Sequence, residues 1–122
     1  MAPLAVALGG AVGSLARYAV GMWVLSWSES GAWGTFIVNV SGAFMLGLLM
    51  GATTARIEMH SALRDGLAVG VLGGYTTFST LMYQSLRQLE TGSPTAAVLN
   101  LTGSVAIGIA ATFAGLALGR TA

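Results

Sequence analysis

The chain has 122 residues, of which 55% are hydrophobic and only 7% are charged, and its mean hydropathy is +0.79. Five basic and four acidic side chains cannot cover the surface of a soluble domain, in which about 25% of residues are charged. The composition therefore predicts one small domain in a lipid bilayer. The lack of cysteine excludes disulfides, thiolate metal sites and cysteine nucleophiles, and five arginines without a lysine form no basic patch for nucleic acid.

Four apolar stretches follow one another along the chain, and each has the length of about 20 residues that a helix needs to cross a bilayer. They predict an all-α membrane protein with one four-helix transmembrane domain over residues 1–122, its helices at about 3–25, 33–55, 64–88 and 95–119. The first stretch is predicted to be a membrane helix and not a cleaved signal peptide, because no charged segment precedes it. The second to fourth stretches have apolar centres without charge.

Eighteen glycines, many of them four residues apart, predict close contacts between helices, because small residues let two helix backbones approach. Pairs or triplets with this spacing are Gly9 and Gly13; Gly47 and Gly51; Gly66, Gly70 and Gly74; and Gly115 and Gly119. The pattern predicts a compact bundle and an assembly larger than one chain.

The distribution of arginine between the two sides of the membrane gives little preference for either orientation. With four spans, Arg56, Arg64 and Arg120 share one side, and the other side has Arg87 with Arg17 inside the first span. Because the positive-inside rule counts basic residues near the spans, this bias is weak. A chain of this kind is predicted to insert both ways and to pair with an inverted copy of itself.

Polar side chains lie inside three of the predicted spans, where an unpaired polar group is costly. Thr35 and Asn39 share a face of the second helix, and Asn100 and Ser104 begin a stripe of four-residue spacing on the fourth. The third span adds Thr76, Thr77, Ser79 and Thr80. A single hydroxyl can bond to its own helix and an asparagine often bridges helices, but donors on three helices together indicate a shared path.

Arg17 is the charged residue inside a predicted apolar core, and no aspartate or glutamate accompanies it there. A guanidinium is always cationic and attracts anions, although it can also extend to the membrane surface as a purely structural feature. Hydroxyl and amide donors near one arginine favour a path for anions. The same composition offers no acidic site for protons or cations.

The segment GGYTTFST at residues 73–80 predicts a break in the third helix. Two glycines followed by two β-branched residues weaken a helix, and a bilayer tolerates unwound backbone only beside a cavity or a bound ion. Freed carbonyls would be ligands for a hard cation such as sodium. The aromatic ring of Phe78 would present its electropositive edge to an anion. A simple kink is the alternative interpretation of this segment.

Four motifs in order resemble the Fluc/CrcB family of small dual-topology fluoride channels: GGAVGSLARY at 9–18, GTFIVNVSGAF at 34–44, GGYTTFST at 73–80 and LGR near the end. The resemblance covers essentially the whole chain. It implies an antiparallel homodimer in the cell membrane with two parallel pores that let cytoplasmic fluoride leave passively.

The resemblance also implies roles for individual residues. It places a structural sodium ion at the dimer interface, held by the backbone carbonyls of Gly73 and Thr76. Asn39 and Phe78 would line the pore and Arg17 a vestibule beside it. A track of hydroxyls along the pore would comprise Thr35, Thr80 and Ser104.

Two residues depart from the family pattern along the expected fluoride path. Leu81 stands where a second phenylalanine is expected, and Asn100 where a tyrosine is common. Some relatives pair two different subunits with one degraded pore, so a heterodimer with a paralogous partner is the alternative to the homodimer.

Two other classes of protein fit this sequence less well than a fluoride channel does. A small multidrug exporter needs a glutamate in its first membrane helix, where this chain has Arg17. A module that only assembles through its glycine faces would leave the donors on three helices unexplained. No nucleophile, paired acid and base or phosphate loop suggests an enzyme.

Overall fold

The computed structural model describes residues 1–55 and 57–121. Three long helices are unbroken: α1 (Ala2–Leu25), α2 (Ala32–Ala55) and α6 (Pro94–Thr121). Between α2 and α6 lie α3 (Ser61–Asp65), a π-helix (Gly66–Leu72), α4 (Gly73–Tyr75) and α5 (Phe78–Glu90). The described residues contain no β-strand.

The helices confirm an all-α, multi-pass membrane protein. Within the described residues, α1, α2 and α6 have 24, 24 and 28 residues and are long and apolar enough to cross a membrane. The stretch from Ser61 to Glu90 is the third helix of the bundle, and it is interrupted. Its ends lie a few residues outside the predicted 64–88, whereas the other three helices begin and end within about two residues of their predicted limits.

The turn between α5 and α6 is set by a glycine that takes a conformation other residues avoid. Gly92 has φ of 83°, its N–H donates to the carbonyl of Leu89, and the N–H of Ser93 donates to that of Gln88. These two bonds are the Schellman pattern that ends a helix. Pro94 then begins α6, since its missing N–H has no partner to lose in a first turn.

Glycines let α2 and α6 pack backbone to backbone, as their spacing predicts. A Cβ atom added at Gly47 or Gly51 would overlap the carbonyl oxygen of Thr112 or Leu116, and one added at Gly115 would overlap that of Phe44. The contact is reciprocal, because glycines of each helix receive carbonyls of the other. The pair forms the rigid scaffold on which Asn39 and Ser104 are placed.

The same device joins α1 to the interrupted helix. Gly9 packs against the carbonyl of Gly66, and added Cβ atoms at Gly70 and Gly74 would lie 2.8 Å from the carbonyl oxygens of Val6 and Gly10. Gly74 therefore allows the interrupted helix to pack closely against α1. Both residues of the Gly73–Gly74 pair remain helical.

The predicted break in the third helix is confirmed, and it falls at Thr76 and Thr77 and not at the glycine pair. Thr76 has φ and ψ of −88° and 158°, and Thr77 has −150° and 119°, so both are extended. The N–H and hydroxyl of Thr76 both donate to the carbonyl of Leu72, which closes the preceding turn. The chain leaves the helix only after this turn, and α5 begins at Phe78.

Candidate functional site

The side chain of Asn39 on α2 forms hydrogen bonds to the backbone of the helix break. Its Nδ2 donates to the carbonyl oxygen of Thr77 over 3.0 Å, and the N–H of Thr77 donates to its Oδ1 over 2.8 Å. One amide thus satisfies both backbone groups of a residue that has left the helix, which a bilayer requires. Because Nδ2 carries two protons, a second proton of Asn39 is left for another acceptor.

Two further contacts from α2 fit the break to this helix. The hydroxyls of Ser41 and Tyr75 lie 2.9 Å apart and share a hydrogen bond. A Cβ atom added at Gly42 would overlap the Cγ2 methyl of Thr76. Three consecutive contacts therefore join α2 to the break: Asn39 with Thr77, Ser41 with Tyr75, and Gly42 with Thr76.

The break removes the usual helical donors from several backbone carbonyls, among them those of Gly73 and Thr76. In a continuous helix the N–H of Thr77 would bond to Gly73, but it bonds to Asn39 instead. The N–H of Thr80 would bond to Thr76, but it bonds to the hydroxyl of Thr77 over 3.3 Å. The carbonyls of Gly73 and Thr76 are the two that the family resemblance implies for a sodium ion. The carbonyl of Gly74 accepts from Arg17 Nε over 3.1 Å.

An inner cavity of about 480 Å³ opens beside the break, between α2, α6 and the interrupted helix. Six predicted site residues line it: Asn39, Gly73, Thr76, Phe78, Leu81 and Ser104. Ser104 is only 8% exposed, and its Oγ is buried without a hydrogen-bond partner. A buried hydroxyl of this kind calls for a partner that is not part of the chain.

Phe78 and Leu81 line the same cavity but differ in their exposure. The side chain of Phe78 is 74% exposed, so one chain alone leaves most of the ring uncovered. Leu81 is 6% exposed and packs into the wall. Leu81 therefore makes part of the cavity wall apolar.

A second, smaller cavity of about 190 Å³ contains the charged residue, and we call it the arginine cavity. Arg17, Thr35 and Thr80 line it, together with Thr77 and Gln84. The Oε1 of Gln84 is buried and has no hydrogen-bond partner. The hydroxyl of Thr35 has one distant acceptor, the carbonyl of Gly31 at 3.5 Å.

Asn100 lies apart from both of these cavities. Its Nδ2 donates to Ser85 Oγ over 3.2 Å and lies 3.5 Å from Gln88 Oε1, so it joins α6 to α5. It lines a third cavity, of about 350 Å³, whose walls include Trp33 and Phe36. The four-residue stripe thus divides: Ser104, Gly108 and Thr112 line the inner cavity, and Asn100 does not.

Sequence reasoning passed over two residues of the site. In the sequence, Thr77 is one hydroxyl among several, and its backbone pairing with a residue 38 positions away leaves no local signal. Gln84 did carry a signal, because it is four residues after Thr80 in a predicted membrane span. A polar side chain on the same helical face as a predicted site residue is a reason to include it.

The charge of the arginine cavity favours a negative ligand, and the inner cavity has no carboxylate among its described lining residues to oppose one. Among the described residues that line them, Arg17 is the one charged side chain, and no carboxylate is present. The remaining polar groups that are free to donate are hydroxyls and amides. A fixed cation and neutral donors in surroundings of low dielectric constant attract anions and repel cations.

Fold and site together define a small polytopic membrane protein with a donor-lined cavity beside a broken helix. Residues 4–116 match the family model described as CrcB-like protein, Camphor Resistance (CrcB). The chain belongs to this family.

Curated relatives match over nearly their whole length. One from Thermus thermophilus is 46% identical over 121 residues, covering 95% of this chain and 91% of the relative. One from Geobacter sulfurreducens is 45% identical over 119 residues (96% and 95%), and one from Acidobacterium capsulatum is 42% identical over 118 (94% and 93%). Each is named a fluoride-specific ion channel, FluC.

Proposed function

We propose that the chain forms a fluoride-selective channel that lets cytoplasmic fluoride leave the cell passively. The observation that carries this is the inner cavity, where the unpartnered hydroxyl of Ser104 and the spare amide proton of Asn39 face a common space without a carboxylate. The names of the relatives, as fluoride-specific channels, support the same function. The proposed activity is transport and not catalysis.

Fluoride suits this cavity because it is a small, strongly hydrated anion. It gives up its water only where several close donors replace the hydration, and neutral donors do so without holding the ion too tightly for it to leave. Asn39, Ser104 and the ring edge of Phe78 are donors of this kind. A larger halide meets the same donors at longer distances and is rejected.

The arginine cavity serves as the vestibule of the path in this proposal. Arg17 is tied to Gly74 through Nε, which leaves its two terminal nitrogens available to draw anions in. Thr35 and Thr80 line the cavity with hydroxyls. Fluoride then moves down its electrochemical gradient, since the sequence offers no acidic group within the apolar cores for proton coupling.

The proposed assembly is an antiparallel homodimer, with a paralogous partner as the alternative. The 74% exposure of Phe78 at the mouth of the inner cavity supports a second copy there. A structural sodium ion is part of the proposal, because Gly73 and Thr76 offer two carbonyl oxygens without their usual donors. Hard cations bind oxygen ligands, and two carbonyls from each of two copies would give such an ion four of them.

A cellular experiment tests the proposed function. A bacterial strain without its own fluoride export is expected to grow in fluoride when it produces this chain, and to accumulate less fluoride than cells with an empty vector. Unchanged accumulation in cells whose membranes contain the folded protein would contradict the proposal.

Ser104→Ala is expected to lower fluoride flux about tenfold without destabilising the protein. The lost hydroxyl has no partner in the fold, so its removal costs the passing ion one donor, about 1.4 kcal/mol or a factor of ten. Flux from proteoliposomes and a thermal melt measure the two effects. Thr102→Ala is the matched control, because this exposed hydroxyl on the same helix bonds to the carbonyl of Val98.

An unchanged flux for Ser104→Ala would remove Ser104 from the path. A lower melting temperature would show that the hydroxyl has a structural partner after all.

A further inference from the structure

Thr77 is the one described residue that lines both the inner cavity and the arginine cavity. A hydroxyl without a protein partner, Ser104 Oγ, lies on its inner-cavity side, and the Arg17 guanidinium lies in the cavity on its other side. Ser104 is more than nine-tenths buried. The two cavities therefore meet at Thr77, whose backbone is held by hydrogen bonds to Asn39 and whose side chain carries a hydroxyl.

We infer that the anion passes from the arginine cavity to the inner cavity over Thr77, and that the Thr77 hydroxyl is its point of transfer. This inference rests on the proposed function and adds a residue and a route to it. It makes Thr77 a transfer residue, held in position by Asn39, and joins the two groups of donors into one path.

The hydrogen bonds of Thr77 suit a transient donor. Its Oγ1 donates to Thr80 Oγ1 over 3.1 Å and accepts from the N–H of Thr80 over 3.3 Å. Ser79 Oγ lies 3.5 Å away. Because a hydroxyl proton rotates freely, Thr77 can turn its proton from Thr80 to an anion and back without moving the backbone.

A purely structural role is the competing explanation, because Thr77 also caps the N-terminus of α5. Asparagine and aspartate cap a helix as well as threonine does. Thr77→Asn and Thr77→Asp therefore both keep the cap, and they differ in a single negative charge. We expect the asparagine variant to lose about tenfold in fluoride flux, because it keeps the cap but lacks the transferring hydroxyl, and the aspartate variant to fall at least about thirtyfold further by repelling the anion.

The flux is measured from proteoliposomes, with elution volume and melting temperature as checks of folding. Equal fluoride flux through the asparagine and aspartate variants would overturn the inference, because a negative charge on the path must lower the flux of an anion. Unchanged flux through the asparagine variant, with intact folding, would also overturn it, since the hydroxyl would then be dispensable for transfer.

A cysteine at this position gives a test that does not require the aspartate variant to fold. The sequence has no cysteine, so Thr77→Cys creates a unique thiol. A negatively charged methanethiosulfonate reagent is expected to react with it and to lower flux at least about tenfold, and to leave flux through Thr102→Cys unchanged. A Thr77→Cys thiol that reacts only after unfolding would show that water and ions do not reach this position.

Flux through the unsubstituted chain is measured first. If it passes no fluoride, the proposed function itself has failed. If it passes fluoride and the modified Thr77→Cys conducts as well as before, the function stands and the route over Thr77 does not.

Discussion

Asn39→Leu is expected to reduce fluoride flux at least about a hundredfold. Leucine is close to asparagine in size but can neither accept from the N–H of Thr77 nor donate to its carbonyl, and the existing bonds are 2.8 and 3.0 Å long. Each buried backbone group left without a partner costs about 1–3 kcal/mol. Two such groups amount to about 2–6 kcal/mol, a factor of about thirty at the least, and the lost amide donor of Asn39 brings the expected reduction to about a hundredfold.

The damage is expected at the site as well as in the flux. Without Asn39, the extended backbone at Thr76 and Thr77 has to find other partners in a bilayer that supplies none. The segment then shifts, and the donors around the inner cavity no longer face one ion together. The spare amide proton of Asn39 is lost from the cavity in the same substitution.

Asn100→Leu is the matched control for Asn39→Leu. It is the same chemical change in another membrane helix, at a side chain that bonds to Ser85 and lines neither the inner nor the arginine cavity. We expect its flux to stay within a few-fold of the original. Proteoliposome flux of both variants measures the difference, and equal losses for the two would contradict the site described here.

Gly115→Ala is expected to destabilise the protein by about 3 kcal/mol and to lower its melting temperature by several degrees. The added methyl group would overlap the carbonyl oxygen of Phe44, which belongs to the backbone of α2 and cannot rotate away. The two helices must separate to accept it. Their separation also moves Asn39 on α2 away from Ser104 on α6, so flux falls together with stability.

Gly103→Ala provides the comparison within the same helix. An added Cβ atom there meets nothing within 4 Å, and alanine favours a helix over glycine by up to about 1 kcal/mol. Its melting temperature is therefore expected to stay the same or to rise. A thermal melt of both variants in detergent gives the result, and equal stability would show that α2 and α6 do not pack through these glycines.

The spans and their packing were accessible from the sequence because their signals are local. A run of about 20 apolar residues has few alternatives to a membrane helix, and four-residue glycine spacing follows directly from the geometry of close helix contact. Gly115 and Gly47 were predicted on this basis, and the structure places each against the backbone of the other's helix.

The position of the break was only partly accessible. Its existence follows from the local weakness of GGYTTFST, but its place depends on Asn39, which is 38 residues before Thr77. The glycine pair was the wrong marker, since Gly74 is there to approach Gly10 of α1. Local helix propensity cannot predict a tertiary contact between residues so far apart in the sequence.

The candidate site shows the same division. Spacing along one helix grouped Asn100 with Ser104, but a helix can turn the two ends of a stripe towards different neighbours, and Asn100 faces α5. The orphaned Ser104 hydroxyl and the buried Gln84 oxygen can be recognised only when their surroundings are known. Residue types thus indicated donors for an anion, and their grouping into two cavities required the structure.

The measurement that tests the central claim most directly is ion efflux from liposomes that contain the purified chain alone. Liposomes loaded with fluoride and chloride are diluted into ion-free buffer with a potassium ionophore present, and ion-selective electrodes follow both anions. The account predicts rapid and nearly complete loss of fluoride while chloride is retained. Retention of fluoride by liposomes that contain folded protein, or equal loss of the two anions, would contradict it.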